Sequence, residues 1–219
     1  MVFHQYSTIM KKFAIIALCV ATLMACNRQN PTETENTEIM ETQNTNEWRS
    51  VSPDEFATRP FYLFDEQWMA LGVKDGDKSN AMTIAWGTIG MLWSKPVVIV
   101  YVSSDRYSKA MMDHADGFTV TAFPDEERYR EALRFLGTKS GRDYDDKIAA
   151  AGLTTEFTEL GNVRIAEGNL CIECEKIYAD EFKAELVPAD VNENFYQRMG
   201  LHSFYIGEIK SIWEKKSAY

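Results

Sequence analysis

Residues 80–108 read NAMTIAWGTIGMLWSKPVVIVYVSSDRYS, and this stretch decides the fold. In its first part Met82, Ile84 and Trp86 alternate with Thr83 and Ala85, the period of a half-buried strand. Pro96 to Ser103 is a continuous apolar run rich in β-branched residues, as expected of a strand covered on both faces. Glycines and small polar residues interrupt the part between them. The stretch ends in Ser103-Ser104-Asp105-Arg106-Tyr107-Ser108, a hydroxyl-rich turn carrying one arginine. It reads either as a buried hairpin or as a wall against which something flat and anionic lies.

Outward from this core, the pattern stays mainly β with helical insertions. Val51–Ala57, with Pro53 and two acids behind Ser52, predicts a short helix. Residues 61–73 predict a strand region, closed by the Asp75-Gly76 turn signal. A short helix capped by Ser104 or Asp105 is predicted after the apolar run, then an alternating strand over Gly117–Phe123. Pro124–Gly137 is the clearest helix, with an apolar stripe of Tyr129, Ala132, Leu133 and Leu136. A shorter helix ends at Gly152, and residues 163–179 and 202–213 carry two late strands. Irregular spacing argues against a βαβ array, and a β-barrel with helical insertions fits best.

Composition narrows the function. Of 219 residues 45% are hydrophobic and 12% aromatic, enough for one sizeable core. The formal charge is −10 and the pI about 4.9, with no cluster of Lys and Arg to neutralise phosphates. A nucleic-acid partner is excluded.

The N-terminus reads as processing rather than fold. From Met10 two lysines precede an apolar run, Phe13–Met24, and then a small residue and Cys26. That is the build of a secretory signal, with a run too short to span a bilayer. Its end, Leu23-Met24-Ala25-Cys26, resembles the lipobox of bacterial lipoproteins, whose cysteine is lipidated. Residues 1–25 are therefore expected to be a lipoprotein signal peptide, with Met1 or Met10 as the start. Residues 26–48, rich in Thr, Asn and Glu, read as a disordered acidic tether, and residues 49–219 as one folded domain. The expected location is the bacterial cell envelope, on a lipid anchor.

Few residues point to hydrolytic chemistry. Of four cysteines, Cys171 and Cys174 remain in the folded part, three apart on an alternating strand, so they face opposite ways and suit neither a disulfide nor a shared metal. His114 sits near a helix end, where a cation is favourable. No metalloprotease, nucleophile-elbow or P-loop pattern is present, and no metal is expected. The Ser103–Ser108 turn is more informative. At a strand-to-helix junction free N–H groups favour an anion, and an arginine adds a bidentate fork for phosphate. The bare pattern also fits an ordinary capped helix with a solvated arginine.

What joins these signals is resemblance. The opening stretch resembles the start of the flavin reductase-like family, which has an FMN-binding split β-barrel and includes flavoredoxin. Gly117–Phe123 follows in place, Leu136–Leu153 resembles the family's Ser-Gly-Arg-Asp segment, and residues 170–180 and 201–213 resemble its last two barrel strands. The resemblance implies FMN, with Met82, Thr83, Ile84, Ala85 and Trp86 beside the isoalloxazine ring. Ser104, Arg106, Tyr107 and Ser108 would hold the phosphate, and Lys139, Ser140 and Arg142 would close a second polar loop. His202 resembles a family histidine near the flavin and is the catalytic candidate. The resemblance also implies a homodimer, for which Trp213 and Tyr196 are the exposed-aromatic candidates. Many relatives have a Pro-Pro pair where this chain has Ser94-Lys95-Pro96. Family reductases draw hydride from nicotinamide nucleotides, which are scarce outside the cytoplasm, so the electron donor and acceptor are left open. The alternative is a flavin- or ligand-binding lipoprotein on the same barrel without enzymatic activity.

Overall fold

The computed structural model describes residues 47–215. The expected signal peptide, Cys26 and nearly all of the expected tether lie outside the described residues. Strands run in chain order as β1 (Trp48–Val51), β2 (Met69–Asp75), β3 (Lys78–Ile84), β4 (Gly87–Leu92) and β5 (Lys95–Ser103). Helix α1 (Tyr107–His114), β6 (Gly117–Ala122), α2 (Glu127–Thr138) and the single turn α3 (Lys147–Ala150) follow. The short hairpin β7 (Thr155–Phe157) and β8 (Val163–Ile165) leads to the long strands β9 (Leu170–Glu181) and β10 (His202–Lys215). The fold is mostly β sheet with a few helices.

One antiparallel sheet runs β3-β2-β6-β9-β10-β5-β4, with β1 added to β10. Its two ends, β3 and β4, are consecutive in sequence, and β3 comes back near β5 without pairing to it. The sheet therefore curls around a core but stays split along this line. Its interior is filled by Met69, Leu71, Val98, Val100, Phe118, Val120, Ile172 and Tyr205, all inaccessible to solvent. Because strand side chains alternate, the opposite face of β2, β3 and β6 needs its own cover. Ala70 and Ala81 pack there under Leu133, Leu136 and Ile148 of α2 and α3.

Several local readings are corrected by burial. Val51–Ala57 forms only one turn, where the Glu55 N–H donates to Ser52 O at 3.1 Å and the Ser52 hydroxyl to Glu55 Oε2 at 2.8 Å. The helix start signal is real, but no apolar stripe follows to bury a second turn. The strand predicted from residue 61 begins at Met69. Tyr62–Gln67 is instead a short π-helix that drives Leu63 and Phe64 into the core. Helix α1 has Arg106 at its N-cap, not Ser104 or Asp105, and no side-chain cap. Gly137 lies inside α2 rather than closing it, and the helix before Gly152 is only four residues long.

The middle of the opening stretch is strand β4, hairpin-paired with β5 from Gly87–Val100 to Leu92–Lys95. Its two-residue turn, Trp93-Ser94, has φ of 51° and 60°. That left-handed pair matches the twist of the flanking strands, at a conformational cost for non-glycine residues.

Cys171 and Cys174 fall on opposite faces of β9, Cys174 in the main core. Both are free and buried, and burial pushes the Cys171 thiol up to about 12. His114 closes α1 and meets Asp75 at 3.3 Å.

Candidate functional site

The split between β3 and β5 is where backbone polar groups are left over. β3 pairs on one side only, with β2. The N–H and C=O of a residue in an antiparallel strand point to the same side, and sides alternate along the strand. Ala81 O accepts from Lys147 Nζ at 2.9 Å, so the main-chain groups of Ala81 and Thr83 point away from β2 toward the split. Ala85 is next in that series, just past the strand's end. An edge strand with free main-chain groups can bond the rim of a flat heteroaromatic ring without help from side chains.

A cavity of about 210 Å³ occupies this place. Met82, Thr83, Ile84, Ala85 and Trp86 form one wall, and Tyr101, Ser103 and His202 the facing one, with Asp105 and Arg106 at its end. The Thr83 hydroxyl is not free for a ligand, since it donates to Leu133 O of α2. Thr83 therefore offers its backbone. Trp86 stands 42% exposed at the mouth, with its ring 5.4 Å from Phe195 and 5.1 Å from His202.

His202 is buried, and its Nδ1 lies 3.2 Å from the Tyr196 hydroxyl. Burial lowers its pKa below the ordinary value of 6.5, Asp105 offsets part of that, and Arg106 adds to it. The ring is neutral at pH 7. A neutral imidazole on a ring-sized slot can donate or accept one hydrogen bond without opposing a cation beside it.

A second cavity, about 120 Å³, adjoins the first and shares Met82, Asp105 and Arg106 with it. Tyr107 and Ser108 open α1 on one side, and Lys139, Ser140, Gly141 and Arg142 follow α2 on the other. Four cations line it: Arg106, Lys139, Arg142 and Lys147. None is ion-paired among the described residues. Arg106 Nη2 donates to Gly137 O, which holds the guanidinium between the two cavities. Arg142 lies over the Tyr107 ring at 5.4 Å. The first-turn N–H groups of α1 add the positive end of a helix. With Asp105 as the only carboxylate on its wall, the second cavity suits an anion, and the first beside it suits a flat ring.

The structure thus gathers Met82 to Trp86, Arg106 and His202 around one cavity, and Arg106, Tyr107, Ser108, Lys139, Ser140 and Arg142 around the other. Two of these hydroxyls are already engaged. Ser108 Oγ accepts from Asn80 Nδ2 at 2.8 Å, and Ser140 Oγ from the Arg142 N–H at 3.3 Å. Ser104 lines neither cavity. It is packed against Gly200, where an added Cβ would fall 2.0 Å from Ser104 Oγ.

Sequence reasoning missed Lys147 and Asn80. Lys147 is only 4% exposed, and its ammonium donates to Ala81 O at 2.9 Å and Leu136 O at 2.7 Å. Burial and then the charge of Arg106 lower its pKa to about 8. Asn80 is 2% exposed, and its Oδ1 has no partner. An unpaired buried acceptor on a cavity wall is an opening for a ligand donor such as a hydroxyl. One signal was available: a lysine next to the apolar Ile148 and alanines, on a helix too short to keep it in water.

Gly141 fixes the width of the anion cavity. A Cβ there would lie 2.5 Å from Tyr107 Cδ1 and 2.6 Å from Asn80 Oδ1. Gly141→Ala is therefore expected to displace the Tyr107 ring, lower stability by about 1–3 kcal/mol and narrow the cavity. Thermal unfolding measures the first effect, and titration with inorganic phosphate, which should bind more weakly, the second.

Comparison with known proteins agrees with this fold. The family model described as flavin reductase like domain matches residues 64–219. Among solved structures, an FMN-binding protein from Thermus thermophilus with bound 1-cyclohex-2-enone is 18% identical, at a TM-score of 0.54 over 77% of this chain and 82% of that one. Flavoredoxin from Methanosarcina acetivorans is 19% identical, at a TM-score of 0.56 over 75% of this chain and 76% of that one. An FMN-binding domain of flavin reductases-like enzyme from Shewanella baltica is 14% identical, at 0.56 over 80% of each. At these identities the likeness establishes the fold. No functionally curated protein matches the chain.

Proposed function

Since the chain belongs to the flavin reductase-like domain family, we propose that it binds FMN across the split and passes electrons through it as an oxidoreductase or electron-transfer flavoprotein. One observation carries this reading: a ring-sized slot and a four-cation cavity share Arg106, as a flat ring with a phosphorylated tail requires. A bound flavin supplies reversible electron and hydride transfer. The chain's own part is to hold and tune it. Thr83 and Ala85 offer main-chain groups, Trp86 ends the same wall at the mouth, His202 stands on the facing wall, and Asn80 Oδ1 suits a hydroxyl of the ribityl chain. Arg106, Arg142 and Lys147 neutralise the phosphate, with Tyr107, Ser108, Lys139 and Ser140 completing that wall. His202 is neutral and within reach of one proton donor, the Tyr196 hydroxyl.

The test is the visible spectrum of the purified chain, with mass analysis of any released cofactor. Flavin absorbance and released FMN support the reading, and a colourless chain that takes up no added FMN overturns it. Oxidation of NADH with added FMN separates a reductase from a carrier that lacks a nicotinamide substrate.

The signal-like N-terminus adds a location. Acylation of Cys26 would tether the domain to the bacterial cell envelope, where nicotinamide nucleotides are scarce, so the donor would be another reductant. Unaltered protein is expected to fractionate with membranes and Cys26→Ser to be released as a soluble, folded domain. A wild-type chain already soluble with residues 1–25 intact refutes the anchor.

A homodimer is also proposed, but not through the aromatics expected from sequence. Trp213 is half-buried near the Arg164 guanidinium at 5.6 Å, and Tyr196 holds His202. The exposed aromatics among the described residues are Phe61, Trp68, Trp86, Trp93, Phe157, Tyr178, Phe182 and Phe195, and only some of these lie together. Tyr101, Tyr178, Phe182 and Phe204 form a continuous set of ring contacts on the outer side of β5, β9 and β10. An apolar face of this kind beside the cavity mouth suits a second copy. Light scattering that finds a flavin-bound monomer overturns this assignment.

A further inference from the structure

A cavity of about 750 Å³ opens between β1, the π-helix Tyr62–Gln67 and the end of β10, within the roughly 300–1,000 Å³ of ligand pockets. None of its lining residues lines the ring slot or the anion cavity. Half of them precede residue 64, where the match to the family begins. The matched domain alone therefore does not form this cavity.

Its lining carries three cations, Arg49, Arg59 and Lys215, against one carboxylate, Glu214. Glu214 Oε2 accepts from Arg49 Nη2 at 3.0 Å, on a side chain 59% exposed, so the rest of that fork keeps free donors. Lys215 Nζ donates to Ala166 O and lies 4.6 Å from the centre of the Trp48 ring, so it adds charge while committed to the protein. Arg59 is held differently. Its guanidinium lies over the Tyr62 ring at 4.4 Å and meets no carboxylate among the described residues. An arginine steadied on a ring keeps its edge donors for a planar anion.

Polar groups without a protein partner among the described residues face the same space: the Thr58 and Tyr62 hydroxyls and the Asn169 side-chain amide. The Asn169 backbone is fixed, its N–H donating to Ala122 O at 3.0 Å and its carbonyl accepting from the Lys215 N–H at 2.9 Å. Leu63, Ala122 and Leu170 are buried beneath and make an apolar floor. With Glu214 counted, two positive charges remain in surplus, and the two open guanidiniums belong to different elements. A matching ligand has two anionic ends and a carbon body between them.

We propose that this cavity binds a small organic acid with two or more carboxylates. One carboxylate meets the Arg59 fork, a second meets Arg49 beside Glu214, and the carbon body lies on Leu63 and Leu170. Inorganic phosphate has one compact charged centre and nothing to cover the floor, so it binds more weakly. The proposal does not depend on the flavin reading.

The experiment is calorimetric titration of the full chain with succinate, citrate, benzoate and inorganic phosphate at constant ionic strength. Succinate or citrate is expected to fill one saturable site at least about tenfold more tightly than benzoate or phosphate. Arg49→Ala and Arg59→Ala each lower that affinity about ten- to hundredfold and leave FMN affinity unchanged. Both side chains are exposed, so neither replacement empties the core. Arg59→Lys, which keeps the charge but loses the fork, recovers only part of the loss. No saturable binding of succinate or citrate overturns the proposal. Equal affinity for phosphate or benzoate also overturns it, since that marks a general anion patch. Binding that survives replacement of both arginines places the ligand elsewhere and overturns it as well. A chain that binds succinate or citrate through these arginines but takes up no FMN upholds this cavity and overturns the flavin reading alone.

Discussion

Replacing Arg106 with alanine is expected to weaken FMN binding roughly ten- to hundredfold while changing riboflavin affinity little. Arg106 follows the end of β5 by three residues, and its guanidinium is held by Gly137 O between ring slot and anion cavity. FMN carries nearly two negative charges on its phosphate and riboflavin none. A charge-assisted contact in a partly desolvated site contributes about 1.5–3 kcal/mol, which sets the fold-change. The ring wall at Thr83 and Ala85 is untouched by the substitution. If Arg106 served only to pin its loop to α2, both ligands would lose affinity together. Fluorescence-quenching titrations of both distinguish the cases, and equal FMN affinity before and after the change would sink the phosphate assignment.

Lys147 should dominate the pH dependence. Its pKa is lowered from 10.5 to about 8 by burial and by Arg106. The unfolded chain therefore binds more protons than the folded one between those values. Folding carries the full penalty below about pH 8, and stability rises as pH increases from there toward about 10.5. The shift corresponds to about 3 kcal/mol. FMN reverses the preference, because its phosphate favours charged Lys147. Affinity for FMN should thus fall as pH rises through about 8, by up to roughly tenfold per unit, while riboflavin affinity stays flat. Lys147→Met should weaken FMN binding at neutral pH and flatten the profile. It also leaves Ala81 O and Leu136 O without their donor, so thermal unfolding must be measured alongside. An FMN profile equally steep in the variant would remove Lys147 from the site.

Much of this was legible without coordinates. The alternation of Met82 and Ile84 against Thr83, the β-branched run of β5 and the stripe of α2 are local periodicities, and each became the element expected. Arg106 was legible as a cation at a strand-to-helix junction, and the Lys139–Arg142 loop only through the family resemblance. Elements without a strong period were misread or left open. Residues 62–67 have an apolar content that suits strand or helix, and only the core behind Leu63 and Phe64 chooses. β4 is interrupted by glycines and polar residues, so it is a strand because β5 offers it an edge.

The site itself is divided in the same way. Sequence determined which residue types arrive at the split, because they sit at element ends fixed by local chemistry. The tertiary structure decided which of them face a ligand. Thr83, Ser108 and Ser140 look alike as small hydroxyls, yet Thr83 gives its proton to Leu133 O, whereas Ser108 and Ser140 accept from Asn80 and Arg142 and keep theirs for a ligand. Lys147 and Asn80 look like surface residues in sequence and are buried at the cavity wall because α3 and β3 are pressed together there. Hydrogen-bond partnership and desolvation depend on contacts between segments 11 and 66 residues apart for Lys147 alone. No local pattern encodes contacts at that separation, so periodicity yields the strands, and only packing reveals the charge and the free acceptor of the site.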